Sequence, residues 1–226
     1  MSGIEVCDLR ADYGYGEVLH GLSFEVAAGE IGALLGANGA GKTTTLLAMA
    51  GEVPNTGIVS FFGVPATGRL YARARAGVAF LPEQRGIIRG LTVLENLRLA
   101  DVDPVEVFAA SPELEPQRGR RAGLLSGGQQ QILALTRAIV CRPSVLLVDE
   151  LSFGLGPIIV ARMLELARRA ADDGAAVLIV DQFAAQVLRV ADRGFVLRRG
   201  DLVLTGTAAE LLARVDEVED MYLGRG

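Results

Sequence analysis

Lysine and histidine each occur once in this sequence of 226 residues, and cysteine occurs twice. Apolar residues never run long enough to cross a bilayer. Stretches such as Ala175 to Val180 and Val145 to Val148 fall far short of the roughly 18 residues that a transmembrane helix needs. Cys7 and Cys141 lie far apart without metal-ligand spacing, so they read as small buried or half-buried thiols in a reducing compartment. An excess of basic charge is also missing. With 22 basic against 27 acidic residues the net charge is −5, spread along the chain, which argues against a general grip on nucleic-acid phosphates. Met1 to Glu5 shows no basic stretch followed by an apolar one, so a cytosolic chain is expected. No internal repeat and no low-complexity linker is visible.

What is present describes a packed globule. Half the residues are apolar and 22% are charged, which excludes a disordered tail and a coiled coil, and the length suits one α/β domain. Ile4 to Leu9 and Leu22 to Val26 read as short strands separated by the turn-rich Tyr13-Gly14-Tyr15-Gly16. From Ile31 the pattern becomes strand (Ile31 to Leu35), glycine-rich loop, and helix (Thr43 to Ala50) stopped by Gly51. Val145 to Val148 and Ala176 to Val180 are continuously apolar, as strands covered on both faces tend to be, and a mostly parallel sheet flanked by helices follows.

Between Leu91 and Gly123 the sequence lacks a strong strand and carries Pro104, Pro112 and Pro116, so it reads as a helical insert. The capping-box spacing Thr92-Val93-Leu94-Glu95 predicts a helix there that runs to about Ala100. Gly156-Pro157 opens an amphipathic helix to about Asp172, and Thr207-Ala208-Ala209-Glu210 caps a last one.

The single lysine is Lys42, and every other basic position is arginine. A compact ammonium is kept at one place, and its neighbours give the reason. Gly36-Ala37-Asn38-Gly39-Ala40-Gly41-Lys42-Thr43 has the glycines, lysine and threonine of a phosphate-binding loop, set between a strand and a helix. Glycines let backbone N–H groups turn inward to phosphate oxygens, Lys42 reaches the β- and γ-phosphates, and the Thr43 hydroxyl suits magnesium. An apolar strand, Val145 to Val148, ends in Asp149-Glu150. On its own this could be a solvated acidic pair. Beside a phosphate loop it reads as a metal-holding Asp149 and a Glu150 that polarises water for in-line attack.

Leu125-Ser126-Gly127-Gly128-Gln129 opens a further helix, Gln130 to Val140, and its hydroxyl and amides form a second anion-binding helix start. At this point the chain, from about Ile4 to Leu223, resembles the ATP-binding-cassette ATPases, whose signature is this Leu-Ser-Gly-Gly-Gln. The resemblance implies a P-loop α/β core with an N-terminal antiparallel β subdomain. It implies one nucleotide-binding domain over residues 1–226, with a helical insert at about 91–140. It also implies ATP contacts by Tyr13, stacking on adenine, and by Gly36, Ala37, Asn38, Gly39, Ala40, Gly41, Lys42, Thr43 and Thr44. Leu125 to Gln129 would cover the ATP held by a partner subunit, and Ser152 to Pro157 would cross that interface. A core tyrosine is the alternative at Tyr13. In Leu81-Pro82-Glu83-Gln84, either Glu83 or Gln84 fills the place of a glutamine that touches magnesium and senses a membrane partner, and position favours Glu83.

Two positions depart from the family. His20, the only histidine, lies far upstream of the strand Ala176 to Val180, after which the family places a γ-phosphate contact. Asp181-Gln182 stands there instead, and Gln182 brings a hydrogen bond without charge. Leu151 occupies a position that is commonly proline, which alters the turn after the carboxylates. The loop, Leu81-Pro82-Glu83, the Gly154 to Ile159 stretch and the acid-Gln pair are together similar to the second ATPase subunit of branched-chain amino acid importers. That likeness implies ATP and Mg2+ as cofactors, a second ATPase subunit and two transmembrane permeases as partners, and indirectly an extracytoplasmic binding protein. It also implies a place at the cytoplasmic face of the membrane. Importers of amides or urea, exporters, and soluble cassette ATPases acting on ribosomes or DNA are the alternatives.

Overall fold

The computed structural model describes every residue except Gln84, Arg85, Phe153 and 224–226. In chain order the elements are β1 (Ser2–Asp12), β2 (Glu17–Ala27), β3 (Ile31–Leu35), α1 (Lys42–Ala50), β4 (Asn55–Phe61), β5 (Val64–Pro65), α2 (Leu70–Arg75), β6 (Val78–Leu81), α3 (Val93–Leu99), α4 (Pro104–Ala110), α5 (Gly127–Val140), β7 (Val145–Asp149), α6 (Pro157–Asp172), β8 (Ala176–Asp181), α7 (Ala184–Leu188), β9 (Arg193–Arg198), β10 (Asp201–Thr207), α8 (Ala208–Leu212) and α9 (Val215–Leu223).

An antiparallel sheet, ordered β2-β1-β4-β5, packs on a six-stranded sheet ordered β10-β9-β3-β8-β7-β6. In the larger sheet β6, β7, β8, β3 and β9 are parallel, and β10 pairs antiparallel with β9. Its central strands are buried on both faces. Ile31, Ala33 and Leu35 of β3, with Val177 and Ile179 of β8, enter one core with Leu133, Met163 and Leu166. Leu34 and Leu178 enter the other with Val26, Leu46 and Phe195. Alternation into two apolar cores is the physical reason that these strands carry no polar face.

The Thr92/Glu95 and Thr207/Glu210 capping boxes form as the spacing predicts. Thr207 does not open the last helix, however, because α9 follows. Its acids Asp216, Glu217, Glu219 and Asp220 mask an inward pair, Val218 and Tyr222. The cysteines also differ from expectation, since both are exposed. Cys7 points outward between the core residues Val6 and Leu9 of β1, and Cys141 sits just beyond the last turn of α5. The insert is tied down by Arg162 of α6, which donates to Glu113 at 3.1 Å and to the Ala110 carbonyl at 2.7 Å.

Candidate active site

Three neighbouring strand ends build the site. Leu35 of β3 pairs with Asp181 of β8, and Asp149 of β7 pairs with Val180. The loop after β3, the acids after β7 and the turn after β8 therefore leave the sheet side by side. This is the carboxyl edge of a parallel sheet, where unpaired backbone groups and helix N-termini favour anionic ligands.

The loop needs its glycines. Gly39 and Gly41 take left-handed φ angles of +78° and +108°, and a Cβ at Gly36 would stand 2.5 Å from the Leu197 carbonyl oxygen. Gly41 caps α1 with no side-chain hydrogen bond, so the first amide donors of the helix stay open to an anion. Lys42 is 4% exposed and folds back, with Nζ donating to the Ala37 carbonyl at 3.0 Å. Burial lowers its pKa, while the charges of Glu150, Asp181 and Asp149 act to raise it.

Thr43 is exposed, and its hydroxyl donates to Asp149 at 3.2 Å. Asp149 itself is 3% exposed. Lost hydration pushes its pKa up to about 6; the Thr43 hydrogen bond opposes this, and the charges of Glu150 and Glu83 add to it. Glu150 is raised for the same first reason, burial, with Lys42 opposing. A cation beside Asp149 would relieve this crowding. The oxygen-only set Thr43, Asp149 and Glu83 fits the hard Mg2+ ion. Among the described residues no three His, Cys, Asp or Glu side chains gather for a metal, so nucleotide phosphates would have to complete the shell.

Glu83 is exposed, and its charge reaches both acids. Gln84, its alternative, lies outside the described residues, as does Phe153 of the interface segment. Tyr13 is 46% exposed, with its hydroxyl 3.4 Å from Thr44 Oγ1, so it is a rim residue and not a core tyrosine. Leu151 is fully buried in the larger core. The turn without proline is held by that anchor, by Glu150 in a left-handed conformation (φ +46°), and by the Glu150 amide donating to the Val180 carbonyl at 2.9 Å. His20 stands apart and pairs with Asp201 at 3.2 Å.

Ser126 and Gln129 close a capping box at the start of α5: Ser126 Oγ accepts from the Gln129 amide at 3.2 Å, and Gln129 Oε1 accepts from the Ser126 amide at 3.0 Å. A Cβ at Gly128 would meet Ile159 at 2.9 Å, and Leu125 is buried beneath the turn. Among the described residues no hydrogen bond or ion pair joins this segment to Lys42, Asp149 or Glu150. Sequence reasoning missed the role of Asp181 as a knot. It is 1% exposed and accepts from the Ser152 amide at 3.0 Å and from its hydroxyl at 2.7 Å. It also accepts from the Gln182 amide at 2.7 Å and the Phe183 amide at 3.0 Å. The signal was an acid ending an apolar buried strand, as in β7.

The model of the family described as ABC transporter matches residues 19–152, from β2 through the phosphate loop and signature to the acidic pair. The chain belongs to the ABC transporter family. As an ABC ATPase domain it binds ATP. This ABC chain is 39% identical over 223 residues to the high-affinity branched-chain amino acid transport ATP-binding protein BraG of Pseudomonas aeruginosa, covering 94% of this chain and 95% of the relative. It is 32% identical over 238 residues to the lipopolysaccharide export system ATP-binding protein LptB of Escherichia coli, covering 99% and 98% of the two. A solved structure of an ATP-binding subunit of an ABC transporter superposes with a TM-score of 0.82 at 27% identity, covering 97% of this ABC chain and 99% of that one. Among the described residues no helix is long and apolar enough to cross a membrane.

Proposed function

We propose that this chain is the ATP-hydrolysing subunit of an importer for branched-chain or other hydrophobic amino acids. It works as a single nucleotide-binding domain at the cytoplasmic face of the membrane. The observation that carries the chemistry is the alignment of Lys42, Asp149 and Glu150 at one sheet edge, beside a helix start left open for phosphate. The loop amides from Gly36 to Thr43, with Thr44 and the rim residue Tyr13, bind the nucleotide. Lys42 gives up the Ala37 carbonyl for the β- and γ-phosphates. Thr43, Asp149 and Glu83 would hold Mg2+, which when bound would supply neutralisation of phosphate charge. Glu150, whose pKa burial has raised, takes the proton of the attacking water, and the Gln182 amide donates to the γ-phosphate.

Leu125 to Gln129 meets the ATP of a second ATPase subunit, while two permease subunits, served by an extracytoplasmic binding protein, sit above. A groove of about 510 Å3 lined by Phe80, Gly86, Ile88, Leu99 and Arg137 lies next to the Glu83 segment and supports a place for a permease there. Import is favoured by the 39% identity with BraG, and the 32% identity with LptB keeps export as the second reading. The test is a mild-detergent purification of the tagged chain from its own membranes, with mass spectrometry of the proteins that come with it. Two polytopic permeases, a second ATPase and a periplasmic amino-acid-binding protein are expected. Export components, ribosomes or DNA would overturn the reading.

A further inference from the structure

The last helix reaches back to the site. On α9, Val218 and Tyr222 stand four residues apart on one face and are 0% and 7% exposed, in the same core as Ala184 and Val187 of α7. The Tyr222 hydroxyl donates to the Gln182 carbonyl at 2.8 Å. Ala184 is the first residue of α7, and Phe183 before it supplies no side-chain cap. Together with Asp181, which takes the Gln182 and Phe183 amides, Tyr222 holds the 182–184 turn from a second side. The same ring lines a cavity of about 240 Å3 with Ala37, Asn38, Gly39 and Arg199, so it stands between the phosphate loop and the Gln182 turn.

A glutamine has no charge with which to find a phosphate, and its long side chain has several rotamers. Its contribution depends on where the backbone sets its Cα. We propose that Tyr222 is the positioning residue for Gln182, with a hydroxyl that fixes the 182–184 turn so that the amide meets the γ-phosphate. This rests on the role given to Gln182 above. Burial, with the charge of Glu219, raises the phenol pKa further above its ordinary value, which keeps the donor protonated throughout the working range.

The test is steady-state ATP hydrolysis by the complex purified through the tagged chain, for the parent, Tyr222→Phe, Gln182→Ala and the double variant. Tyr222→Phe should lower kcat about three- to tenfold and leave KM for ATP within about twofold. The double variant should be no slower than Gln182→Ala alone, because the hydroxyl acts through that side chain. Val218→Ala, which loosens the same helix without touching the hydroxyl, should lower Tm and leave kcat unchanged. A parental kcat in Tyr222→Phe, or losses that multiply in the double variant, would overturn the positioning role while the Gln182 reading stands. A parental kcat in Gln182→Ala would remove that reading and this one with it.

Discussion

α1 and α5 both start at glycine-rich turns suited to phosphate, but their first turns are finished differently. Gly41 gives α1 no side-chain acceptor, whereas Ser126 and Gln129 satisfy the start of α5 between themselves. An uncapped helix start keeps its amide donors for a ligand, and the positive end of the helix dipole adds to them. A capped one has already used its third donor, and what remains is the hydroxyl proton of Ser126 and the first glycine amides. The burden of charge differs as well. Lys42, Asp149 and Glu150 crowd the first site, with pKa values displaced by burial, while Ser126 is exposed and no ionisable group adjoins it in sequence. Under the proposed function, the first end holds nucleotide by itself, and the second is a lightly built surface that contributes when a partner presents its ATP.

The largest break in this contrast comes from Lys42. Lys42→Ala removes the only lysine ammonium of the chain and should weaken ATP binding by at least about a hundredfold in calorimetric titration. Unchanged affinity would dismiss the loop as the nucleotide site. Glu150→Gln should retain ATP affinity within a few-fold and lower turnover by about 10^2 to 10^4, and a parental rate would assign the base elsewhere.

Asp149→Asn separates binding from stability. The folded-state pKa of about 6 lies above the ordinary 3.8, so the folded chain keeps this proton where the unfolded chain has lost it. Stability therefore falls as pH rises from about 4 to about 6 and stays reduced above that. The asparagine variant should be more stable than the parent at pH 7.5 without nucleotide, on the order of 2 kcal/mol, with the gain gone near pH 4. Equal thermal midpoints at both pH values would contradict the buried-charge account. The smallest effect belongs to α5: Ser126→Ala should cost about 1 kcal/mol in denaturant unfolding through the lost cap, and it should leave the ATP affinity of the isolated chain unchanged. A drop in that affinity would mean that the two helix starts share a ligand within one chain.

Much of the site was legible because it is written in contiguous residues. The loop from Gly36 to Thr43, the Leu125 to Gln129 segment and the strand ending in Asp149-Glu150 are local patterns, and their backbone needs are met within a few residues. Strands β4, β6, β9 and β10 were not legible. β6 has four residues, β9 begins and ends in arginine, and β10 alternates half-buried with exposed positions and contains Gly206. Their pairing comes from neighbours distant in sequence. The last helix was missed for a related reason, since its acids outweigh the two residues that bury it.

By itself the sequence determined which segments could hold phosphate, which carboxylates could serve metal and water, and where the main buried strands and capped helices begin, because those properties depend on spacing and local hydrogen bonds. Tertiary structure alone decided that β8 lies between β3 and β7, that Asp149 loses its water, that Leu151 anchors the turn after Glu150, and that Tyr222 closes on the Gln182 turn. Register, desolvation and contacts between residues 40 to 180 positions apart are properties of the assembled cores, and no local stretch of sequence contains them.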